Sequence, residues 1–265
     1  LCSMGRNVEV CVLTGYGINA EKELAEAFRA AGGKVRLVHV QDILSRPSTL
    51  KQVQILAFPG GFSFGDHLGS GKVLANLMRK KLKSDLERFV SRGGMMLGVC
   101  NGFQILVKMG ILPNLEGEGK QEVSLIHNDC GSFVDRWVKV RFNLKNLSPW
   151  IQGMETSWYP IRHGEGRFLA GPLVTGNRLL NQNLIALTYA EENPNGSELN
   201  IAGITDPTGR ILGLMPHPEA FLIPENHPWW PRRSPAGEEP ANREIPAEAG
   251  LQLFKNGIEF ARGIL

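Results

Sequence analysis

Apolar residues cluster along the chain in short runs, and their spacing changes between neighbouring runs. Val8 to Leu13 is a continuous apolar stretch of strand length, closed by Thr14-Gly15-Tyr16-Gly17. From about Ala20 to Ala31 the period becomes helical, with Leu24, Ala27, Phe28 and Ala31 on one face and Gly32-Gly33 as the stop. Lys34 to Val40 and Val53 to Phe58 are again strand-like, the second ending at Pro59-Gly60-Gly61. A long helical pattern over roughly Val73 to Ser91 leads to the apolar run Met95 to Val99, and a second helical run covers Phe103 to Met109. Strands alternating with helices predict an α/β fold with a mostly parallel central sheet flanked by helices. Ligands then sit at the carboxyl ends of the strands.

After Gly110 the pattern shortens. Val123 to His127, Trp137 to Phe142, Trp158 to Ile161, Leu184 to Tyr189, Asn200 to Ile204 and Ile211 to Met215 are short strand-like runs between turn residues. This second half is richer in strands, some of them antiparallel. Phe221 to Pro246 is dense in proline and charge and predicts a long surface loop, and a closing helix follows from about Ala247. Trp229-Trp230 and Arg232-Arg233 in that loop suit interface anchors, or tryptophans that pack the loop onto its own domain. No internal repeat is seen and no linker before about residue 221, and residues 1–265 are read as a single domain.

Composition narrows the function classes. A formal net charge of +3 over 265 residues gives no argument for nucleic acid or a membrane surface. No apolar run reaches the length of a bilayer span, and Leu1 to Arg6 does not look like the start of a secretory signal. Cys2, Cys11, Cys100 and Cys130 lack paired metal-type spacing and fit a reduced, cytoplasmic protein. The six histidines show no metal spacing either, so no metal is expected in the chain.

The chemistry concentrates at Gly98-Val99-Cys100-Asn101-Gly102. A strand, a sharp turn with glycine on both sides of a cysteine, and a helix make a nucleophile elbow that lifts a thiol off the strand end. The helix N-terminus favours thiolate. A buried core cysteine is the plain alternative, yet it needs no such pair of glycines. Met215-Pro216-His217-Pro218-Glu219 closes another strand-like run and offers a base, His217, with an orienting carboxylate, Glu219, two residues on. The turn at Gly60-Gly61 ends a third strand. Backbone N–H groups of Gly61 and Asn101 are expected to form an oxyanion hole.

Two glycine motifs are weaker. Gly15-x-Gly17-x-x-Ala20 lies where a dinucleotide fingerprint would, but Asp42 is too far on for the ribose-binding acid. Gly69-Ser70-Gly71-Lys72 lacks the first glycine of a phosphate loop (Asp66 stands there), and Val73 replaces the hydroxyl residue. Arg79-Lys80-Lys81-Leu82-Lys83 is a solvated helix face.

The order Cys, then His-x-Glu far downstream, resembles triad-type (class I) glutamine amidotransferases. Gly60-Gly61-Phe62-Ser63-Phe64-Gly65-Asp66, Gly98 to Gln104, His163-Gly164-Glu165-Gly166-Arg167, Asn193 to Ser197 and Met215 to Glu219 together are similar to the glutaminase part of phosphoribosylformylglycinamidine synthases. The resemblance runs from about Val8 to Glu219. It implies a flavodoxin-like amidotransferase fold and hydrolysis of glutamine through a thioester on Cys100. The ammonia would feed a synthetase chain, where ATP and Mg activate formylglycinamide ribonucleotide, with a small accessory subunit a further expected partner. It also implies that Gln104, His163, Gly164 and Glu165 line the glutamine pocket, and that the chain itself holds no cofactor. Ala220 and Phe64 stand where that family usually has Arg and Tyr. A non-amidotransferase cysteine hydrolase of the same fold, the glutaminase of another amidotransferase, and a non-catalytic regulatory subunit are the other readings.

Overall fold

A computed structural model describes residues 7–117, 119–230 and 250–263. The apolar runs become strands β1 (Glu9–Thr14), β2 (Lys34–His39), β3 (Ile55–Phe58), β4 (Met95–Val99), β5 (Val123–Ile126), β6 (Val134–Phe142), β7 (Thr156–His163), β8 (Arg167–Ala170), β9 (Ile185–Tyr189), β10 (Ile201–Thr205) and β11 (Ile211–Leu214). The helices are α1 (Glu21–Ala30), α2 (Val40–Ser45), α3 (Lys72–Ser91), α4 (Asn101–Lys108), α5 (Gly176–Asn181) and α6 (Leu251–Arg262).

Nine strands form one sheet in the order β2-β1-β3-β4-β11-β10-β9-β6-β7. The pairs from β2 through β11 are parallel, and those from β11 to β7 are antiparallel. The strand-rich second half thus extends the first half's sheet; among the described residues only β5 and β8 pair separately. β3, β4 and β11 are buried at every position, because helices cover both faces of the sheet's centre. Their alignment brings the carboxyl ends of β3, β4 and β11 together: Phe58 pairs with Gly98, and Leu214 with Val99. The turn at Gly60, the elbow at Cys100 and the segment at His217 follow those three ends.

Three elements escaped the sequence pattern. α2 and α5 are six residues each, under two turns, and β8 is four residues. Such lengths are too short to establish a period. The expected loop from Phe221 is compact over its described part, with a 3₁₀ turn at Pro224–Asn226 and His227 only 2% exposed. Trp229 stacks edge-on against Trp158 at 5.0 Å, and His227 lies 4.5 Å from the Trp137 ring. These tryptophan and histidine rings pack the segment onto β6 and β7. For Trp229, packing onto its own domain is the arrangement found. Arg232, Arg233 and the rest of that loop lie outside the described residues, as do Cys2 and the first turn predicted for the closing helix. Among the described residues no helix is long and apolar enough to cross a membrane.

Candidate active site

The elbow is built by steric exclusion. Cys100, at the start of α4, has φ 52° and ψ −107°, a conformation costly for a residue with a side chain. The two glycines carry normal φ values, so their role is space rather than dihedral freedom. A Cβ on Gly98 would lie 2.7 Å from the Gly102 carbonyl, and one on Gly102 would meet Phe58 O at 1.9 Å. β3, β4 and α4 therefore approach one another as only glycine allows, and Cys100 bears the strain of the turn.

His217 follows β11 and its N–H donates to Pro160 O at 2.9 Å. Glu219 does not lie in an extended run, as the flanking prolines suggested. Pro218–Ala220 is a 3₁₀ turn, and the turn carries the carboxylate back to the ring. His217 Nδ1 lies 2.7 Å from Glu219 Oε1, with both side chains almost fully buried. Burial works against the imidazolium, but the Glu219 carboxylate, with support from Cys100, raises the His217 pKa to about 10. The aligned hydrogen bond of Cys100 Sγ goes to Arg162 O at 3.6 Å, and His217 Nε2 has no aligned partner among the described residues. The Cys100–His217 contact is accordingly one of proximity and charge in this state, with Nε2 the nitrogen left to serve the thiol. A Cβ on Gly60 would meet His217 Cε1 at 2.8 Å and Cys100 Cβ at 3.6 Å, so Gly60 forms the wall beside both.

The Gly60–Gly61 turn is braced by the β1–α1 loop. Asn19 and Ala20 N–H both donate to Gly60 O at 3.2 Å, and Phe62 N–H donates to Gly17 O at 2.9 Å. In a trans peptide the C=O and N–H point opposite ways, so these bonds turn the Gly61 N–H away from α1. The Gly15-x-Gly17 motif is thus a support for this turn. The Gly69-Ser70-Gly71 amides are also committed within the chain: Ser70 N–H donates to Glu165 Oε2 at 3.2 Å, and Gly71 N–H to Asp66 Oδ1 at 3.2 Å.

Of the residues expected to line a substrate pocket, Gln104 is 3% exposed with both ends of its amide engaged. Its Nε2 donates to Glu165 O at 2.5 Å, and its Oε1 accepts from Asn101 Nδ2 at 3.0 Å. Gln104 therefore links α4 to the Gly164–Glu165 segment rather than presenting a free amide. His163, at the end of β7, places Nδ1 3.0 Å from Asn128 Oδ1. Asn128 Nδ2 donates to two carbonyls, His163 O and Ser132 O, so its Oδ1 faces the ring and His163 carries its proton on Nδ1. Burial, then the nearby His217 charge, lowers the His163 pKa to about 4 and keeps it neutral.

Sequence reasoning missed Asn128 and Arg162, and had Gly60 only as part of the turn, not as the wall beside His217. Arg162 accepts the Cys100 contact on its carbonyl and pairs its guanidinium with Glu23 at 2.9 Å, beside His217. Its place next to the His163-Gly164-Glu165 motif was the available signal. Asn128 lies far from any motif and gave none. The other described thiols differ in kind: burial pushes Cys11 up to about 12, whereas Cys130 is exposed and its hydrogen bonds to Ser132 lower its pKa.

With this geometry in view, the relatives are informative. The family model for a CobB/CobQ-like glutamine amidotransferase domain matches residues 7–261. The phosphoribosylformylglycinamidine synthase subunit PurQ of Dehalococcoides mccartyi is 38% identical, over 97% of this chain and 99% of that protein. The protein of that name from Methanococcus maripaludis strain C5 is 37% identical, covering 95% of this chain and 98% of its own length. Among solved structures, a chain in PurLQS from Thermotoga maritima superposes with a TM-score of 0.73 at 26% identity, over 96% of this chain and 99% of that one. The chain belongs to the CobB/CobQ-like glutamine amidotransferase family and, within it, to the group of phosphoribosylformylglycinamidine synthase glutaminase subunits.

Proposed function

We propose that Cys100, His217 and Glu219 form the triad that hydrolyses glutamine to glutamate and ammonia. The observation that carries this is the buried His217–Glu219 pair, 2.7 Å apart, set at a strand end beside the Cys100 elbow. The Cys100 thiolate adds to the side-chain carbonyl of glutamine, and the C=O electron pair moves onto oxygen, where Gly61 and Asn101 N–H receive it. His217 then gives its Nε2 proton to the departing nitrogen, the C–N bond breaks, ammonia leaves and a γ-glutamyl thioester remains. Neutral His217 takes a proton from water as the water adds; the C–S bond breaks, restoring thiolate and imidazolium, and the new γ-carboxyl group gives its remaining proton to solvent as glutamate leaves. Glu219 holds the ring through Nδ1 throughout. Gln104, His163, Gly164 and Glu165 shape the pocket wall, and Gln104 acts there through its bonds to Asn101 and Glu165.

The ammonia serves the ATP-dependent conversion of formylglycinamide ribonucleotide to formylglycinamidine ribonucleotide in purine biosynthesis. That step occurs on a synthetase chain, which holds ATP and Mg; a small accessory subunit and a cytoplasmic location complete the reading. The relatives named as subunits of this synthase support it. The test is glutamine-dependent amidine formation by the purified chain with its synthetase. Amidine and glutamate should appear in equal amounts, and loss of both in Cys100→Ala is the expected control. Amidine formation from glutamine without this chain would contradict the assignment.

A further inference from the structure

The two proposed oxyanion donors stand on different elements, Gly61 on the turn after β3 and Asn101 at the start of α4. Something must set their spacing, because a donor displaced by a fraction of an ångström loses much of its effect. The turn's own hydrogen bonds run mainly to the β1–α1 loop. Ser63 N–H and the Asp66 carboxylate of this turn both meet one side chain of α4, Asn101. Ser63 N–H donates to Asn101 Oδ1 at 3.3 Å, and Asn101 Nδ2 donates to Gln104 Oε1 at 3.0 Å and faces Asp66 Oδ1 at 3.5 Å.

Asn101 is fully buried. Its carboxamide is used at both ends at once, with an acceptor toward Ser63 and a donor toward Gln104 and Asp66. An aspartate offers no donor when ionised and would face the Asp66 carboxylate. A leucine offers neither group, and a glutamine is one methylene too long for the same contacts. Gln104 continues the connection to Glu165, whose carboxylate receives Ser70 N–H. Asp66 receives Ser70 Oγ at 3.0 Å and Gly71 N–H at 3.2 Å, which fixes the far end of the turn at the start of α3.

We propose that the Asn101 carboxamide is a positioning residue for the glutaminase reaction. It ties the Gly60–Ser63 turn to the nucleophile elbow and so fixes the Gly61 N–H relative to the Asn101 N–H. This rests on the proposed glutaminase chemistry. The tie acts on the transition state, where charge develops on oxygen, and not on glutamine affinity or on the thiol itself.

The test compares the full wild-type chain with Asn101→Leu, Ser63→Pro and the double variant, each assayed alone and with the synthetase chain. Ser63 opens the turn Ser63–Asp66, in which Phe64, Gly65 and Asp66 take left-handed φ values of 56°, 70° and 54°, and its Oγ has no partner among the described residues. Ser63→Pro removes the N–H end of the tie. It keeps the test open should Asn101→Leu fail to fold. Each single variant should lower kcat for glutamate release at least roughly tenfold, about 1.4 kcal/mol in barrier, with KM changed by less than about threefold. Alkylation of Cys100 by iodoacetamide, followed by peptide mass spectrometry, needs no oxyanion hole and should proceed at the wild-type rate. The double variant should be no slower than the worse single one, because both remove the same connection. Unchanged kcat in Ser63→Pro, multiplying losses in the double variant, or a parallel fall in Cys100 alkylation would each overturn the tie. A wild-type chain that releases no glutamate even with its partner would overturn the glutaminase reading beneath it. Turnover by the wild type with unaffected variants would overturn the tie alone.

Discussion

Glu219 holds His217 by the nitrogen that faces away from the thiol, and this pairing makes the imidazolium the stable form up to about pH 10. A raised folded-state pKa means the pair's stabilisation is complete below the unfolded value of about 6.5 and is lost as pH rises through about 10. In the proposed mechanism the same proton is the one delivered to the leaving nitrogen, so kcat should fall on the alkaline side near pH 10. Glu219→Gln should slow glutamate release by roughly 10²–10⁴-fold with little change in KM, as for mis-oriented triads, and should move that alkaline limb to lower pH. A rate profile that keeps its limb in Glu219→Gln would show that another group holds the base. His163 has the opposite sign. Its folded-state pKa is depressed to about 4, so its contribution is present above about 6.5 and is lost as pH falls toward 4. Urea unfolding of wild type against His163→Gln should show a stability difference that shrinks between pH 7 and pH 4, by on the order of 3 kcal/mol at most. A difference independent of pH would remove the titration from His163. The Cys-Gly-His-Glu pattern made these chemical groups legible in the sequence, but the tautomer and neutrality of His163 were not legible. The tautomer comes from Asn128, which lies 35 residues away in the chain, and the neutrality from burial and the nearby His217 charge.

At the level of elements, glycine does two separable jobs. Gly102 lets α4 meet β3, and Gly60 leaves room for the His217 ring. Gly102→Ala should therefore destabilise the fold, by about 3 kcal/mol or more given a Cβ set against backbone. Gly60→Ala should keep a near-wild-type thermal midpoint while lowering kcat sharply, since its Cβ displaces the ring of the proposed base, His217. Thermal unfolding and steady-state kinetics on both variants separate the two effects; equal loss of stability in both would contradict the distinction. The Gly60 peptide also bears on regulation. A flip that withdraws the Gly61 N–H is available to glycine, but here it would break two hydrogen bonds to Gly60 O, each worth about 1 kcal/mol. The orientation that turns the Gly61 N–H away from α1 is thus the favoured one in this state. The strands, the elbow and the helix starts were legible because long apolar runs and glycine punctuation encode them locally. The reach of Glu219 was read as extended and proved to be a 3₁₀ turn, because Pro218 at the first turn position sets a helical rather than an extended course.

For the whole molecule, one mixed sheet brings three distant segments to a single edge, and this assembly is what the sequence could not give residue by residue. The parallel half was read from alternating strands and helices. That the antiparallel half adds to the same sheet depends on long-range pairing, which leaves no local pattern. Ammonia freed into water is lost as ammonium, so a glutaminase serving a synthetase gains by staying slow until the acceptor is activated. Glutamate release by the isolated chain should rise at least roughly tenfold when synthetase loaded with nucleotide and formylglycinamide ribonucleotide is added; full activity without the partner would contradict this coupling.

The most direct measurement is to trap the intermediate. The chain is mixed with glutamine, quenched in acid during turnover, and its cysteine peptides are weighed. A γ-glutamyl group on Cys100, absent from Cys11 and Cys130 and lost together with glutamate release in Cys100→Ala, is the result predicted here. Glutamate release that persists in Cys100→Ala, or an acyl group carried only by the exposed Cys130, would contradict it.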